Sequence, residues 1–423
     1  MSTNHASISM SRNVPVHDSA DIIVVGGGPA GVAAAIGAVR RGKKVILVEH
    51  SGQLGGMGTL ANVSVFMGVG NVTGIYRELI AEVMPEALPS THQQGIWPQY
   101  SPFKVRHYLN QKLEKEGVQV YYHVSFVDSL MEGNRIIGIV AHTREGLRAF
   151  MGKAVIDCTG DAAVARAAGV PIRTGRDSDH MTQPMTLMFT MQDTGQPVKP
   201  YLPEDCYYYE SVADLPQGRL LYWEVKEDRT LLVNMTRVKG NGARMEDINF
   251  AEKEALRQVF SVAHYLQRNG YANYIISHIP GQTGVRETNQ IEGSYTLTEN
   301  DLINSAVFDD VIAQSDYEID IHSPDGGKTT DERRLGLYDI PYRCMLPKQV
   351  EGLLIAGRCI SATHVAMSSM RVQATCYALG QAAGVAASIA IDEQQPLADI
   401  SIAALHDKLQ QQGVEFRRKP VSS

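Results

Sequence analysis

The stretch Asp21–Glu49, DIIVVGGGPAGVAAAIGAVRRGKKVILVE, constrains the fold more than any other part of the chain. Ile22-Ile23-Val24-Val25 is a short apolar run stopped at once by three glycines, the pattern of a buried strand ending in a tight turn. Gly26, Gly28 and Gly31 make G-x-G-x-x-G, and the small residues of Ala30–Arg41 allow a helix to lie close to a sheet. A second apolar run, Val45–Val48, ends in Glu49, eighteen residues after Gly31. Strand, glycine turn, helix, strand and acid are the parts of a dinucleotide-binding βαβ unit. Glycine lets backbone approach a pyrophosphate, whose charge meets the N–H groups of the helix N-terminus. The Glu49 carboxylate is placed to accept hydrogen bonds from a ribose.

Length and charge set the frame for that unit. A chain of 423 residues has material for two or three domains. Its net charge of −7 offers no basic footprint for nucleic acid. Five cysteines form no C-x-x-C, and an odd number fits a reducing compartment. The first twenty residues lack the apolar core of a secretory signal. The apolar stretches 22–39 and 378–391 are interrupted by glycine, which favours buried packing over membrane spanning. These features together point to a cytoplasmic protein.

Past Glu49, Gly55, Gly56 and Gly58 with Thr59 form a second glycine-rich loop, at the carboxyl edge of the sheet where such folds hold ligands. Residues 60–100 read as irregular. Val105, Tyr108, Leu109 and Leu113 are spaced for a helix over Phe103–Gly117, closed by its glycine. Val118–Val127 reads as one strand, Arg135–His142 and Gly146–Met151 as the rest of an antiparallel meander. Lys153–Asp157 is a further short strand leading into Cys158-Thr159-Gly160-Asp161. Strand character returns at Leu187–Met191 and in 220–226 and 230–238, the last pair joined at Glu227-Asp228-Arg229. Phe250–Arg268 is an amphipathic helix with Ala255, Leu256, Val259, Phe260, Ala263 and Leu266 on one stripe. Trp223, Met235 and Tyr207–Tyr209 read as core packing before ligand contact. From Leu335 the first pattern resumes, with a strand at Gly352–Ile355 and one long small-residue helix over Met370–Ala390.

The predicted fold class is α/β: a Rossmann-like dinucleotide-binding domain, parallel sheet with β-meander, plus an α+β substrate domain. Residues 1–19 are expected as a flexible tail, 20–180 and 335–395 as the discontinuous first domain. Residues 181–334 form the expected substrate domain and 396–423 a C-terminal tail.

Five stretches in this order carry a resemblance: VVGGGPAG at 24–31 with Glu49, GGMGT at 55–59, VIDCTGDAAVARAAG at 155–169, GVRETNQIEGSYTLTENDL at 284–302, and the segment 339–384 containing LLIAGRCISATHVAMSSMRVQ. Over residues 20–391 the chain resembles the FAD-dependent oxidoreductases of the glutathione-reductase-like superfamily, closest to the branch of the fumarate reductase flavoproteins. The resemblance implies that Gly26, Gly28 and Gly31, with Pro29 and Ala30 between them, hold the FAD pyrophosphate, and Glu49 the adenosine ribose. It places Gly55, Gly56, Met57 and Thr59 along the ribityl and flavin side. Val127 would meet the adenine through its backbone, Thr159, Gly160 and Asp161 would close over the adenosine half, and Gly357 and Arg358 would lie at the ribityl chain. The helix from Arg371, Val372 and Gln373 would point its N-terminus at flavin O2 and N1, where negative charge gathers on reduction.

Two departures qualify the likeness. Arg358 stands where many of these proteins carry an acid. No second G-x-G-x-x-G delivers a pyridine nucleotide, since Gly240-Asn241-Gly242-Ala243-Arg244-Met245 lacks the third glycine. A pyridine-nucleotide:disulfide reductase is therefore disfavoured, and the electron acceptor stays unnamed.

The expected activity is FAD-dependent hydride transfer to or from a small organic substrate, by alcohol or amine oxidation or at a C–C bond. Arg286 and Arg343 carry the planar fork that clamps a carboxylate, and His364 has the pKa range for proton transfer. These three are the catalytic candidates; the plainer readings are salt bridges, for Arg286 with Glu287 or Glu292, and a structural histidine. No metal site is legible. Alternatives are an NAD-dependent dehydrogenase on the same βαβ unit, or a non-catalytic flavin scaffold or redox sensor. The small-molecule substrate is unnamed and a homo-oligomer is left open.

Overall fold

The computed structural model describes residues 8–67, 72–88, 98–225 and 228–418. β1 (Val16–Val25), β2 (Val45–Glu49) and β3 (Gln119–Tyr122) are parallel, and β1 also runs parallel to the end of β6 (Gly146–Asp157). β4 (Ser125–Glu132) and β5 (Arg135–Thr143) complete a sheet of order β3-β2-β1-β6-β5-β4. β6 serves both halves of this sheet. Its first residues pair antiparallel with β5, as a meander requires, and its last three pair parallel with the returning strand Leu353–Ile355. The last strand of the expected meander, 146–151, and the short strand expected at 153–157 are thus one continuous element.

Several boundaries differ from expectation for local reasons. The run 118–127 is two strands, because His123 turns the chain with φ 57° and β4 leaves β3 to pair with β5. β1 begins at Val16, so residues 16–19 belong to the sheet through Ala149–Met151. Gly74–Val83 is a helix inside the stretch read as irregular; residues 68–71 and 89–97 lie outside the described residues. The expected helix 370–390 is two, His364–Met370 and Gln373–Asp392, broken where Val372 takes an extended conformation. That break puts a fresh N-terminus at Gln373. Phe103–Gly117 stands as read: Pro102–Glu116 is helical, Ser101 Oγ accepts from Lys104 N–H, and Gly117 closes it in the left-handed conformation.

Helix α1 (Pro29–Val39) packs on Gln373–Asp392 through small residues on both. A Cβ on Gly380 would stand 2.0 Å from Ala30 O, and one on Gly384 2.1 Å from Ala34 O. Glycine here is a matter of backbone contact between helices. The second of these helices is long and apolar enough to cross a membrane, but it lies almost wholly buried inside the protein.

A second core gathers Met185, Leu187, Phe189, Met191, Leu231, Val233 and Met235 against the helix Met245–Arg268. Its four strands order as Tyr274–His278, Phe189–Asp193, Thr230–Val233 and Tyr222–Val225, all antiparallel. The turn expected at 227–229 falls partly outside the described residues. Leu256, at 41% exposure, is off the buried stripe, whose members are Ala251, Ala255, Val259, Val262, Ala263 and Leu266. Tyr207 and Tyr208 are exposed, and of the three tyrosines Tyr209 packs. Ile291, Leu297, Ile312, Ile319, Tyr338 and Ile340 join the first core, although they fall within or near the segment read as substrate domain.

Candidate functional site

A cavity of about 490 Å3 lies between the carboxyl edge of the parallel sheet and the sheet of the second core. Along the parallel sheet it is bounded by Gly26, Gly28, Pro29, Ala30, Glu49 and His50, and by Gly56 and Met57 of the second glycine loop. The two loops touch backbone to backbone: a Cβ on Gly56 would stand 2.9 Å from Gly28 Cα. Helix α1 starts there with no side-chain cap, which leaves N–H groups of its first turn for a ligand.

Glu49 ends β2, and its carboxylate is buried. Oε2 accepts from Gly27 N–H at 2.6 Å, Oε1 from Ser51 N–H at 2.7 Å, and His50 Nδ1 stands 3.0 Å from Oε1. Burial alone pushes the carboxyl pKa up, but His50 and the Ser51 hydrogen bonds outweigh it and hold the group below its ordinary value. Glu49 therefore stays an acceptor at neutral pH.

Thr159, Gly160 and Asp161 also line the cavity. Asp157, wholly buried, fixes this turn by accepting from Thr159 N–H at 3.0 Å, Thr159 Oγ1 at 2.7 Å and Ala165 N–H at 3.0 Å. Arg358 explains its own departure from the acid expected at that point. Its Nε donates to Gly160 O at 2.8 Å, Nη2 to Asp161 Oδ1 at 2.9 Å, and Nη1 to Val285 O. The arginine ties the 159–161 turn to the loop that carries Arg286.

The other wall comes from the second core and from Ile319–His322. Thr186 and Gly284 pair through both backbone groups, which sets the position of Arg286 two residues on. Arg286 Nη1 donates to Pro184 O at 2.8 Å and Thr186 Oγ1 at 2.6 Å. Its accessible surface is at the cavity wall, yet protein packs around it deeply enough that desolvation, reinforced by Arg371, pushes its pKa down to about 9. A guanidinium does not give up its proton under conditions a protein survives. The downward push therefore measures how poorly the chain itself compensates this charge.

Arg371 is compensated, by Asp320 Oδ2 at 2.9 Å. Asp320 Oδ1 faces His322 Nε2 at 3.5 Å, and Arg237 Nη2 lies 2.7 Å from His322 Nδ1. An arginine can only donate, so Nδ1 is the bare acceptor and the imidazole proton sits on Nε2, towards Asp320. Desolvation and the Arg286 charge push the His322 pKa down to about 3, against a smaller upward pull from Asp320. His322 is thus neutral, with its tautomer set by Arg237. Asp320 is held below the ordinary carboxylate range by His322, Arg371 and Arg286, in spite of burial.

This state of His322 has a consequence for stability. Between the unfolded value of 6.5 and the folded value of about 3 the unfolded chain binds the extra proton, so stability rises with pH across that window. The full contribution is present above 6.5 and falls as pH drops towards 3, by up to about 1.4 kcal/mol per pH unit. His322→Gln is expected to flatten this slope. Melting of the two proteins between about pH 7 and pH 4 checks it, with His264 and His278, also pushed down by burial, common to both. Parallel slopes would show that His322 binds its proton equally well in the folded and unfolded chain.

Of the residues expected at the site, Gly26, Gly28, Pro29, Ala30, Glu49, Gly56, Met57, Thr159, Gly160, Asp161, Arg286, Gly357, Arg358, Arg371, Val372 and Gln373 line the cavity. Gly31, Gly55, Thr59, Val127, Arg343 and His364 do not. Gly31 is a packing glycine, its position for a Cβ lying 1.7 Å from Gly26 O. Thr59 Oγ1 turns back to Leu54 O at 2.6 Å, and a Cβ on Gly55 would strike Thr59. Val127 sits within β4 at 49% exposure; Val124, Ser125 and Phe126 reach the cavity instead, because the strand break comes earlier than expected. Arg343 makes the plainer contact, a two-pronged ion pair with buried Asp310 at 2.8 and 3.0 Å. His364 is buried with Nδ1 2.8 Å from Oε1 of fully buried Glu287.

Thr186, Met188, Asn234, Asp320 and His322 line the cavity and were not expected. For two of them a signal existed: Ile319-Asp320-Ile321-His322 alternates apolar and polar residues, which puts both polar side chains on one face of a strand.

The model of a family described as FAD dependent oxidoreductase matches residues 21–409. Among solved structures the chain is similar to a geranylgeranyl bacteriochlorophyll reductase-like protein from Thermoplasma acidophilum, with 14% identity, 93% of this chain and 83% of that one covered, and a TM-score of 0.50. It is also similar to the myxobacterial chondrochloren halogenase, at 13% identity, 93% and 79% coverage and a TM-score of 0.46. A third is an anhydrotetracycline hydroxylase from Streptomyces rimosus, at 12% identity, 93% and 66% coverage and a TM-score of 0.47.

Proposed function

We propose that this chain, which belongs to the FAD dependent oxidoreductase family, transfers a hydride between its FAD and a small organic molecule held against Arg286. Family membership settles the choice of cofactor against the NAD alternative. The residues present fit FAD: two glycine loops meet so closely that a Cβ on Gly56 would stand 2.9 Å from Gly28 Cα, and Glu49 and the uncapped start of α1 line the same cavity. Bound FAD supplies a two-electron acceptor or donor. Gly28 and Ala30 would hold the pyrophosphate by backbone N–H groups, the Gly26 N–H being taken by Val48 O at 2.9 Å; Glu49 would accept from the ribose, and Val124–Phe126 would border the adenine. Gln373 opens the C-terminal core helix, its Nε2 anchored to Val63 O at 2.8 Å and its Oε1 accepting from Tyr100 OH at 3.0 Å. The helix N-terminus beside Arg371 favours negative charge at that point of the wall.

The observation that carries this reading is the placement of a polar cluster, buried His322 with half-buried Arg286, Asp320 and Arg371, on the wall of the cavity that also holds the glycine loops. Such a cluster orients a reactant, whereas a passive cofactor scaffold has no need of it. His322, neutral with its proton on Nε2, presents a donor and no charge; Asp320 stays ionised.

The test is anaerobic mixing of the purified yellow protein with carboxylates, alcohols, amines and enones while the flavin absorption is followed. At least one class should bleach the oxidised flavin or recolour the photoreduced one. A flavin indifferent to every donor and acceptor would overturn hydride transfer and favour a scaffold or redox sensor.

A further inference from the structure

The substrate wall carries an imbalance of charge. Among the described residues Asp320 is ion-paired with Arg371 and acts on Arg286 and Arg237 only at longer range, while His322 is neutral. Among the described residues no carboxylate stands within ion-pair distance of Arg286 or Arg237. Arg237 is 5% exposed and turned away, spending its donors on Gly327 O, Gln217 Oε1 and His322 Nδ1. Arg371 is engaged with Asp320. Arg286 alone among them lines the cavity with no anionic partner, and its Nε and Nη2 make no hydrogen bond among the described residues. A guanidinium left in this state is destabilised until an anion arrives.

Another part of the same wall is apolar. Leu60, Val63, Val65, Met67 and Met188 line the same cavity. Val65 and Met188 are buried with Leu232 in a small cluster of their own, against which Val63, Met67 and Trp223 pack. Met67 is further held by the Tyr317 hydroxyl, 3.9 Å from its sulfur.

From one unpaired guanidinium facing an apolar wall we infer that the substrate is a monocarboxylate with an apolar body, its carboxylate on Arg286 and its hydrocarbon part against Val65, Met67 and Met188. The inference rests on the hydride-transfer reading of the same site and narrows it. A bidentate contact through Nε and Nη2 satisfies both carboxylate oxygens. A dicarboxylate would press its second charge on aliphatic and thioether groups, which is costly, and a neutral amide leaves the guanidinium uncompensated.

Calorimetric titration of the FAD-loaded protein with butanoate, hexanoate, succinate and hexanamide tests this without turnover. Hexanoate should bind at least about tenfold more tightly than succinate or hexanamide, and more tightly than butanoate. Arg286→Gln should weaken hexanoate by about ten- to a hundredfold, and Arg286→Lys by less, since it keeps charge without the fork. Flavin content and melting temperature show whether either variant has lost its fold. Met188→Gln, which leaves Arg286 in place, should erase the preference for hexanoate over butanoate. Equal binding of hexanamide and hexanoate, tighter binding of succinate, or no binding of hexanoate would each overturn the assignment. If alcohols or amines bleach the flavin while no carboxylate binds, the substrate class is wrong and hydride transfer stands. If carboxylates bind but no donor bleaches the flavin, the anion site stands and hydride transfer is wrong.

Discussion

Gly31→Ala is expected to leave a protein that no longer retains FAD and is less stable by about 3 kcal/mol or more. The added methyl would sit 1.7 Å from Gly26 O and 3.3 Å from Cys158 Cβ. The first of these is backbone at the end of β1, so no side-chain rotation relieves it. Either α1 lifts off the sheet or the Gly26–Gly28 turn deforms, and both spoil the N–H groups that face the cavity. Gly42→Ala is the matched control. Gly42 joins α1 to β2 in the left-handed region, φ 75°, with nothing within 4 Å of its Cβ position. Its replacement should cost about 1 kcal/mol of backbone strain and leave the flavin bound. The measurement is the ratio of flavin to protein absorbance after gel filtration, with melting curves of both variants. A yellow Gly31→Ala protein of unchanged melting temperature would show that the turn tolerates the shift.

That glycine also marks how far the sequence could be read. The βαβ unit was legible because its parts repeat one physical logic within thirty residues: apolar run, glycine turn, small-residue helix, apolar run, acid. Most of the residues that the likeness to flavoproteins named line the cavity, since glycines and helix starts act through backbone and their positions follow the motif. What the motif could not separate was a glycine beside the ligand from one beside another strand. Gly28 and Gly31 look alike in sequence, and the distances to Gly56 Cα and Gly26 O distinguish them.

The substrate side was less legible because it depends on pairing between remote residues. Arg286 and Arg343 have similar local context, yet Asp310 takes Arg343 while Arg286 is left facing the cavity. His364 stands out in sequence for its place before a helix, but Glu287 claims it. His322, the histidine of the polar cluster, stands in a four-residue strand whose alternation was the available sign. The helix break at Arg371-Val372 was hidden because neither residue is a strong breaker; the break follows from Val372 turning extended to start a new helix at the cavity.

Glu49→Gln is expected to weaken FAD by about ten- to a hundredfold while leaving FMN, which has no adenosine, almost unaffected. The carboxylate takes Gly27 N–H and Ser51 N–H on separate oxygens. An amide has one oxygen, so one backbone donor would face an NH2 group, and an orphaned buried donor costs about 1–3 kcal/mol. The ribose would lose an ionised acceptor as well. The two contributions are separable, because only the second depends on the ligand: fluorescence titration of the flavin-free protein with FAD and with FMN reads it directly. The pH course follows from the same carboxyl. Its folded pKa is depressed below 4.5, so its contribution is complete above that value and is lost as pH falls through the lower folded one. FAD retention in the native protein should therefore hold from neutrality to below the ordinary range for glutamate. Equal losses of FAD and FMN in Glu49→Gln would mean that the residue supports the turn alone and that the ribose is held elsewhere.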